Sequence, residues 1–173
     1  MRLIEKVWKG DTPGRRLGRT ALYPLEGIYR SVIAVRERLF DGGLLPVTRS
    51  PIDVISVGNL TVGGTGKTPV SAWLAERLAA AGRKPAIVLR GYGDDEPIVH
   101  SRLNPGVPVV VERDRVKGIA RAAAAGANVA VLDDAFQHRA AQRDADVVLV
   151  SADDWTGLHH VLPAGPYRQP GAR

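Results

Sequence analysis

Lys67 and Thr68, preceded by Gly63, Gly64 and Gly66, are the residues here whose types and spacing best fit a chemical task. Closely spaced glycines let the backbone curl, so that successive N–H groups point at one cluster of anionic oxygens. A lysine at the end of such a loop supplies a point charge to β- and γ-phosphates. A following threonine places a hydroxyl on Mg²⁺, and a helix starting there aims its positive end at the phosphates. The strict pattern G-x-x-x-x-G-K-[ST] asks for glycine at position 61, where this chain has Thr61; the core G-G-x-G-K-T is intact.

Carboxylates supply the second half of the chemistry. Asp133-Asp134 closes an apolar run. Downstream of a phosphate loop, such a pair is expected to hold Mg²⁺ through one member and to orient or deprotonate a nucleophile through the other. The alternative is a pair capping the next turn. Asp95-Glu96 is a second acidic pair, in a loop rich in charge and glycine. Phosphoryl transfer to an alcohol needs a base near the hydroxyl, and beyond that chiefly positioning and charge neutralisation. The pair alone does not justify a catalytic role. His138 is expected to shape the site at most, and His159-His160 lacks metal-ligand spacing and is read as surface. Asp114 is expected in a surface ion pair, while Arg113 and Arg115 are left between phosphate binding and such pairing.

These residues need a scaffold. Asp53–Val57 is short, β-branched and mostly apolar, as a central parallel strand should be. A helix follows the loop, with Pro69 in its first turn. Val70, Trp73, Leu74, Leu78 and Ala81 form its expected buried stripe, and Gly82 its C′ residue. Further strands are expected at 85–89, 107–111, 129–132 and 147–150, with an alanine-rich helix over 113–125. Alternating strands and helices predict an α/β fold, a phosphate-loop NTPase-like parallel sheet flanked by helices. Ligands of such sheets sit at the carboxyl ends of the strands. The glycine loop, the loop from Arg90 to Pro97 and Asp133-Asp134 should therefore meet on one rim.

The chain has 173 residues, 45% of them hydrophobic, so a folded core is expected. It has no cysteine, which excludes disulfides and thiolate metal sites and suits a reducing compartment. The net charge of +6 fits nucleic acid, an anionic membrane face or a phosphorylated substrate. Aromatics are only 5% and do not interleave with the basic residues, which argues against nucleic acid. No apolar run has spanning length, and no signal peptide is evident. The expected location is the cytoplasm, with possible membrane contact.

Two N-terminal helices are expected. The first covers Met1 to Lys9 and is broken at Gly10–Gly14; a basic run of Arg15, Arg16 and Arg19 follows. The second covers Thr20 to Phe40, with Leu22, Leu25, Ile28, Tyr29, Val32, Val35, Leu39 and Phe40 at helical spacing and Gly42-Gly43 at its end. Arg30, Arg36 and Arg38 are interspersed. Such a helix either lies on an anionic membrane, with Trp8 and Tyr23 near the headgroups, or packs on the sheet or a partner domain. The pattern alone leans to packing.

Taken together, the segments VGNLTVGGTGKTP (57–69), RGYG (90–93), DEP (95–97), PVVVERDR (108–115), LDDAFQHR (132–139), RDADVVLV (143–150) and LPAGPYRQP (162–170) resemble the tetraacyldisaccharide 4′-kinases, the lipid A 4′-kinases of Gram-negative bacteria. The resemblance implies transfer of the γ-phosphate of ATP to the 4′-hydroxyl of tetraacyldisaccharide 1-phosphate. It implies ATP binding by Thr61, Val62, Gly63, Gly64, Thr65, Gly66, Lys67 and Thr68. Asp95 would activate the hydroxyl, with Glu96 beside it. Asp134 and Lys67 would act in catalysis, and Thr68, Asp133 and Asp134 would hold Mg²⁺. The resemblance further implies a membrane-associating segment over 1–50, a kinase lobe over 51–173, and a peripheral place on the cytoplasmic face of the inner membrane. It raises the weight of the membrane reading of the 20–40 helix.

Two departures matter. Only Asp94 separates RGYG from DEP, where many family members have a longer loop. The family is also about twice this length, consistent with two lobes, and its second lobe supplies more of the cleft and a further catalytic histidine. The chain therefore reads as an N-terminal lobe with low turnover. The competing readings are a regulatory ATPase that gates a partner by nucleotide state, and a non-catalytic nucleotide-binding remnant.

Overall fold

The computed structural model describes residue 8 and residues 13–91, 95–152 and 160–170. Apart from Trp8, the helix expected over Met1–Lys9 lies outside the described residues, as do Tyr92–Asp94 and His159. The described helices are α1 (Pro13–Ala21), α2 (Tyr23–Asp41), α3 (Lys67–Ala80), α4 (Glu96–Leu103) and α5 (Arg115–Ala124). The strands are β1 (Asp53–Asn59), β2 (Pro85–Leu89), β3 (Val109–Val111), β4 (Val129–Asp133) and β5 (Ala145–Leu149). The chain divides into two units, one of Leu45–Asn59 and Gly64–Leu149, the other of Met1–Leu44, Leu60–Gly63 and Val150–Arg173.

The first unit holds the sheet. Its strand order is β3-β2-β4-β1-β5 and every pairing is parallel. β1 lies between the fourth and fifth of the described strands, with Asp53 opposite Val129 and Ile55 opposite Ala145. Successive side chains of a strand point to opposite faces. Val54, Ala86, Val88, Ala130 and Leu132 accordingly gather on one side with Ile119 and Ala122 of α5. Val57, Ile87, Leu89 and Val131 gather on the other with Ala75 of α3. β2 and β4 are buried at every position, as strands covered on both faces require.

In this unit the expected strands and helices are present, with shifted ends. β1 runs on to Asn59, β3 is shorter and β5 begins at Ala145. The expected stripe of α3 holds at Val70, Leu74 and Leu78, which pack partly buried against the cluster around Val57 and Ile87, and needs correction at Trp73, which is 58% exposed; the buried residues are Ser71, Ala72 and Ala75. Small side chains let the helix lie close to the sheet. At the end of β1 the backbone of the 134–139 turn comes equally close. A Cβ on Gly58 would stand 2.5 Å from Phe136 Cβ and 2.9 Å from its nitrogen, so this position accepts only glycine.

The second unit is built around α2. Pro sits in its first turn and Gly42 caps its end. The buried Glu26 organises this unit. Its Oε1 accepts from Arg30 Nε at 2.9 Å and from the Val161 N–H at 3.0 Å, and its Oε2 lies 2.9 Å from His160 Nδ1. Burial alone would raise this carboxyl, but the bonds from Arg30, Val161 and His160 outweigh it and hold it below the usual range. Tyr23 stacks on His160 with centroids 5.1 Å apart. His160, expected as surface, is thus half-buried, because Glu26 requires donors where it is sealed from water. Tyr29 donates to the Arg168 carbonyl at 3.1 Å. Leu25, Ile28, Val32 and Val35, at spacings of three and four, are each more than half exposed, so α2 turns an apolar stripe outward. Among the described residues no helix is long and apolar enough to cross a membrane.

Candidate active site

The glycine loop leaves β1 and enters α3 through Gly66, whose φ of 80° is the left-handed conformation that glycine reaches without strain. Gly63 also has positive φ, at 140°. Cβ atoms built on Gly64 and Gly66 meet nothing within 4 Å among the described residues. Gly66 caps α3 without a side-chain acceptor, which leaves first-turn N–H groups for an outside anion. Two braces hold the loop. Asn59 Nδ2 donates to Thr65 Oγ1 at 2.9 Å, and the Asn59 carbonyl accepts from Gln137 Nε2 at 2.9 Å. Thr61 bridges to Tyr167, and the Val62 N–H donates to the Pro166 carbonyl at 2.7 Å.

The two aspartates at the end of β4 have different settings. Asp133 is buried; its Oδ1 accepts from Ser71 Oγ at 3.0 Å and its Oδ2 lies 3.0 Å from His100 Nε2. Burial would raise its carboxyl, yet hydrogen bonds from His100, Ser71 and Thr68 outweigh burial and hold it below the usual range. It is therefore ionised. Asp134 has a φ of 49°, a left-handed conformation that Asp tolerates better than most residues. This turn leaves Asp134 partly exposed, with Oδ1 3.8 Å from Lys67 Nζ.

The acidic pair of the Arg90–Pro97 loop meets this cluster. Asp95 is the exposed N-cap of α4 and Glu96 its first residue. Burial, and then the charges of Asp133, Asp134 and Asp95, push the Glu96 carboxyl above its ordinary 4.5. A raised acid binds protons more readily folded than unfolded, so stability falls as pH rises from 4.5 through the higher folded value, and the penalty is complete above it. Glu96→Gln is therefore expected to raise the melting temperature by roughly 2–4 °C at about pH 8 and to leave it unchanged at about pH 4. Thermal melts without divalent cations check this. An equal gain at both pH values would contradict it.

Thr68, Asp133 and Asp134 are hard oxygen donors, and the structure brings them together with Lys67. Among the described residues no group of three or more His, Cys, Asp or Glu side chains converges on a metal. Asp114 caps α5, its Oδ1 accepting from the Val116 and Lys117 N–H groups at 3.0 and 3.3 Å; the expected ion pair is a helix cap. Arg115 is buried and donates to the carbonyls of Val88 and Asp133, which removes it from both roles left open for it. His138 is half-buried at the close of its segment, and its N–H bonds the Ala135 carbonyl at 2.8 Å. Helix α4, His100 and Ser71 were not foreseen. Only the Asp-Glu-Pro start of α4 marked a helix end in the sequence.

A parallel sheet with a glycine loop between an interior strand and a helix, and with carboxylates at the neighbouring strand end, defines a phosphate-binding-loop α/β protein. The family model for tetraacyldisaccharide-1-P 4′-kinase (LpxK) matches residues 18–173, and the chain belongs to that family. The tetraacyldisaccharide 4′-kinase of Anaeromyxobacter sp. (strain Fw109-5) is 40% identical over 197 residues, covering 99% of this chain and 53% of the relative. That of Azoarcus sp. (strain BH72) is 42% identical, covering 96% and 53%. The crystal structure of LpxK from Aquifex aeolicus in complex with ATP superimposes with a TM-score of 0.80 at 35% identity, over 88% of this chain and 54% of that one. The chain spans about half the length of the curated relatives it matches. The 197-position alignment exceeds the 173 residues present, so that relative carries insertions.

Proposed function

We propose that this chain forms the nucleotide-binding lobe of a tetraacyldisaccharide 4′-kinase, which moves the γ-phosphate of ATP to the 4′-hydroxyl of tetraacyldisaccharide 1-phosphate in lipid A synthesis. The observation that carries the reading is Lys67 at the start of α3, 3.8 Å from Asp134, with Asp133 hydrogen-bonded beside it and Glu96 in their field. Thr61–Thr68 bind the triphosphate, with backbone N–H groups and Lys67 on its oxygens. Mg²⁺, held by Thr68, Asp133 and Asp134, neutralises charge on the phosphates when bound. Asp95, exposed at the start of α4, accepts the proton of the attacking hydroxyl.

The outward stripe of α2, with Arg38 exposed on the same helix, supports seating on an anionic membrane. The apolar residues enter the interface while the guanidinium group of Arg38 meets headgroups. A peripheral position on the cytoplasmic face of the inner membrane follows from a substrate that is a phosphorylated lipid.

The test is a phosphotransfer assay with ATP labelled in the γ position, Mg²⁺ and tetraacyldisaccharide 1-phosphate in detergent. Label in the lipid supports the reading. Label released only as inorganic phosphate, unaffected by lipid, would replace it with an ATPase. Neither label transfer nor nucleotide binding would leave a remnant.

A further inference from the structure

Helix α4 is attached in an unusual way. Its apolar residues Ile98, Val99 and Leu103 are exposed, while the buried side chains are His100 and, at its C-cap, Asn104. Asn104 Nδ2 donates to the Ala72 carbonyl of α3 at 2.8 Å, and His100 Nε2 meets Asp133 Oδ2 at 3.0 Å. Two polar clamps therefore hold the helix that begins with the acidic pair.

His100 is fully buried, and its Nδ1 has no partner among the described residues. An ionised carboxylate only accepts, so Nε2 carries the proton and donates to Asp133. Asp133 Oδ1 is occupied by Ser71 Oγ. The His100 bond thus fixes the second oxygen and sets the rotation of the carboxylate.

We propose that His100 is a positioning residue. It orients Asp133 toward the bound cation and ties the helix bearing Asp95 and Glu96 to the strand end bearing Asp133, so that the acceptor side and the metal side of the site move as one. This rests on the reading of Asp133 as a metal-side carboxylate of a nucleotide site. Partners one shell out from a metal ligand typically change metal affinity about 10–100-fold when removed.

Side-chain reach supplies the test. A glutamine amide extends about as far as Nε2, whereas an asparagine amide stops near Nδ1. The readout is the Mg²⁺ concentration that half-saturates binding of N-methylanthraniloyl-ATP to the full 173-residue chain, with thermal melts alongside. His100→Leu and His100→Asn are expected to raise the Mg²⁺ requirement roughly 10–100-fold, and His100→Gln to stay within about 3-fold of wild type. If His100→Leu does not fold, the Gln–Asn contrast carries the result. A merely structural role would lower the melting temperature of each variant without separating Gln from Asn in Mg²⁺ requirement, and would overturn the proposal. Folded variants that all keep the wild-type requirement would also overturn it, leaving the nucleotide site in place. Wild-type binding without Mg²⁺ dependence would instead overturn the reading of Asp133, and the proposal with it.

Discussion

Lys67→Ala is expected to weaken Mg²⁺·ATP binding at least about 100-fold, close to 3 kcal/mol, without unfolding the protein. Lys67 is mostly shielded from solvent and stands 3.8 Å from the Asp134 carboxylate. In such a setting, removing one member of a close charge pair costs about 2–5 kcal/mol of binding, much of it from the charge left unpaired. Here the unpaired charges are the phosphate oxygens and Asp134. Lys67 belongs to the first turn of α3, where alanine is the best helix former, so the melting temperature should hold. Asp95→Asn makes the contrast: it should leave nucleotide affinity within about 3-fold while removing the base for the attacking hydroxyl. Titration calorimetry with ATP and Mg²⁺ measures both. Equal affinity in wild type and Lys67→Ala would mean that the loop does not bind a triphosphate.

Arg115→Met is expected to lower folding stability by about 2–4 kcal/mol, a fall in melting temperature of roughly 10 °C. Arg115 is only 2% exposed, and its guanidinium donates to the Val88 carbonyl at 3.2 Å and to that of Asp133. Burial lowers the pKa of this arginine, and the charges of Asp133, Asp134 and Glu96 oppose that shift. Methionine keeps most of the volume, so the loss reports the two carbonyls left without donors and the acidic cluster left without its buried cation. The carbonyls lie at the carboxyl ends of β2 and β4, where the candidate site is built. The variant should therefore also raise the Mg²⁺ requirement for nucleotide binding. A melting temperature within about 2 °C of wild type would show that water replaces the guanidinium at no cost.

What was legible in the sequence was whatever follows a period or a motif. The strands around Val54, Ile87 and Val131 are apolar runs between glycine or charged breaks, and a sheet buried on both faces needs that composition. The glycine loop was legible because only a curled backbone uses such closely spaced glycines. The segments that misled bury polar side chains and expose some apolar ones. α4 buries His100 and Asn104 and exposes Ile98, Val99 and Leu103, so its apolar residues mark the outer side. α3 exposes Trp73 and buries Ser71, whose hydroxyl meets Asp133. α2 buries Glu26 against His160 and turns four aliphatic side chains outward. In each case a buried polar group was satisfied by a partner distant in sequence, and nothing local announces such a bond. His100 and Asp133 are separated by a strand and a helix, so their pairing was invisible until the chain was folded.

The position of β1 in the sheet bears on how the chain is made. β1 is the first of the described strands to leave the ribosome, yet its neighbours are the fourth and fifth, with Asp53 opposite Val129 and Ile55 opposite Ala145. At about 5–20 residues per second, several seconds of synthesis separate β1 from its first partner. β2 waits as well, since its central-side neighbour is also β4. Contacts of such long sequence separation form slowly, because loop closure precedes any gain from pairing. The Val54–Val57 stretch therefore spends the interval as an unpaired apolar strand, the kind of surface that holdase chaperones bind. The phosphate loop, although complete early in synthesis, gains a rigid base only when the second half of the sheet has been threaded in on both sides of β1.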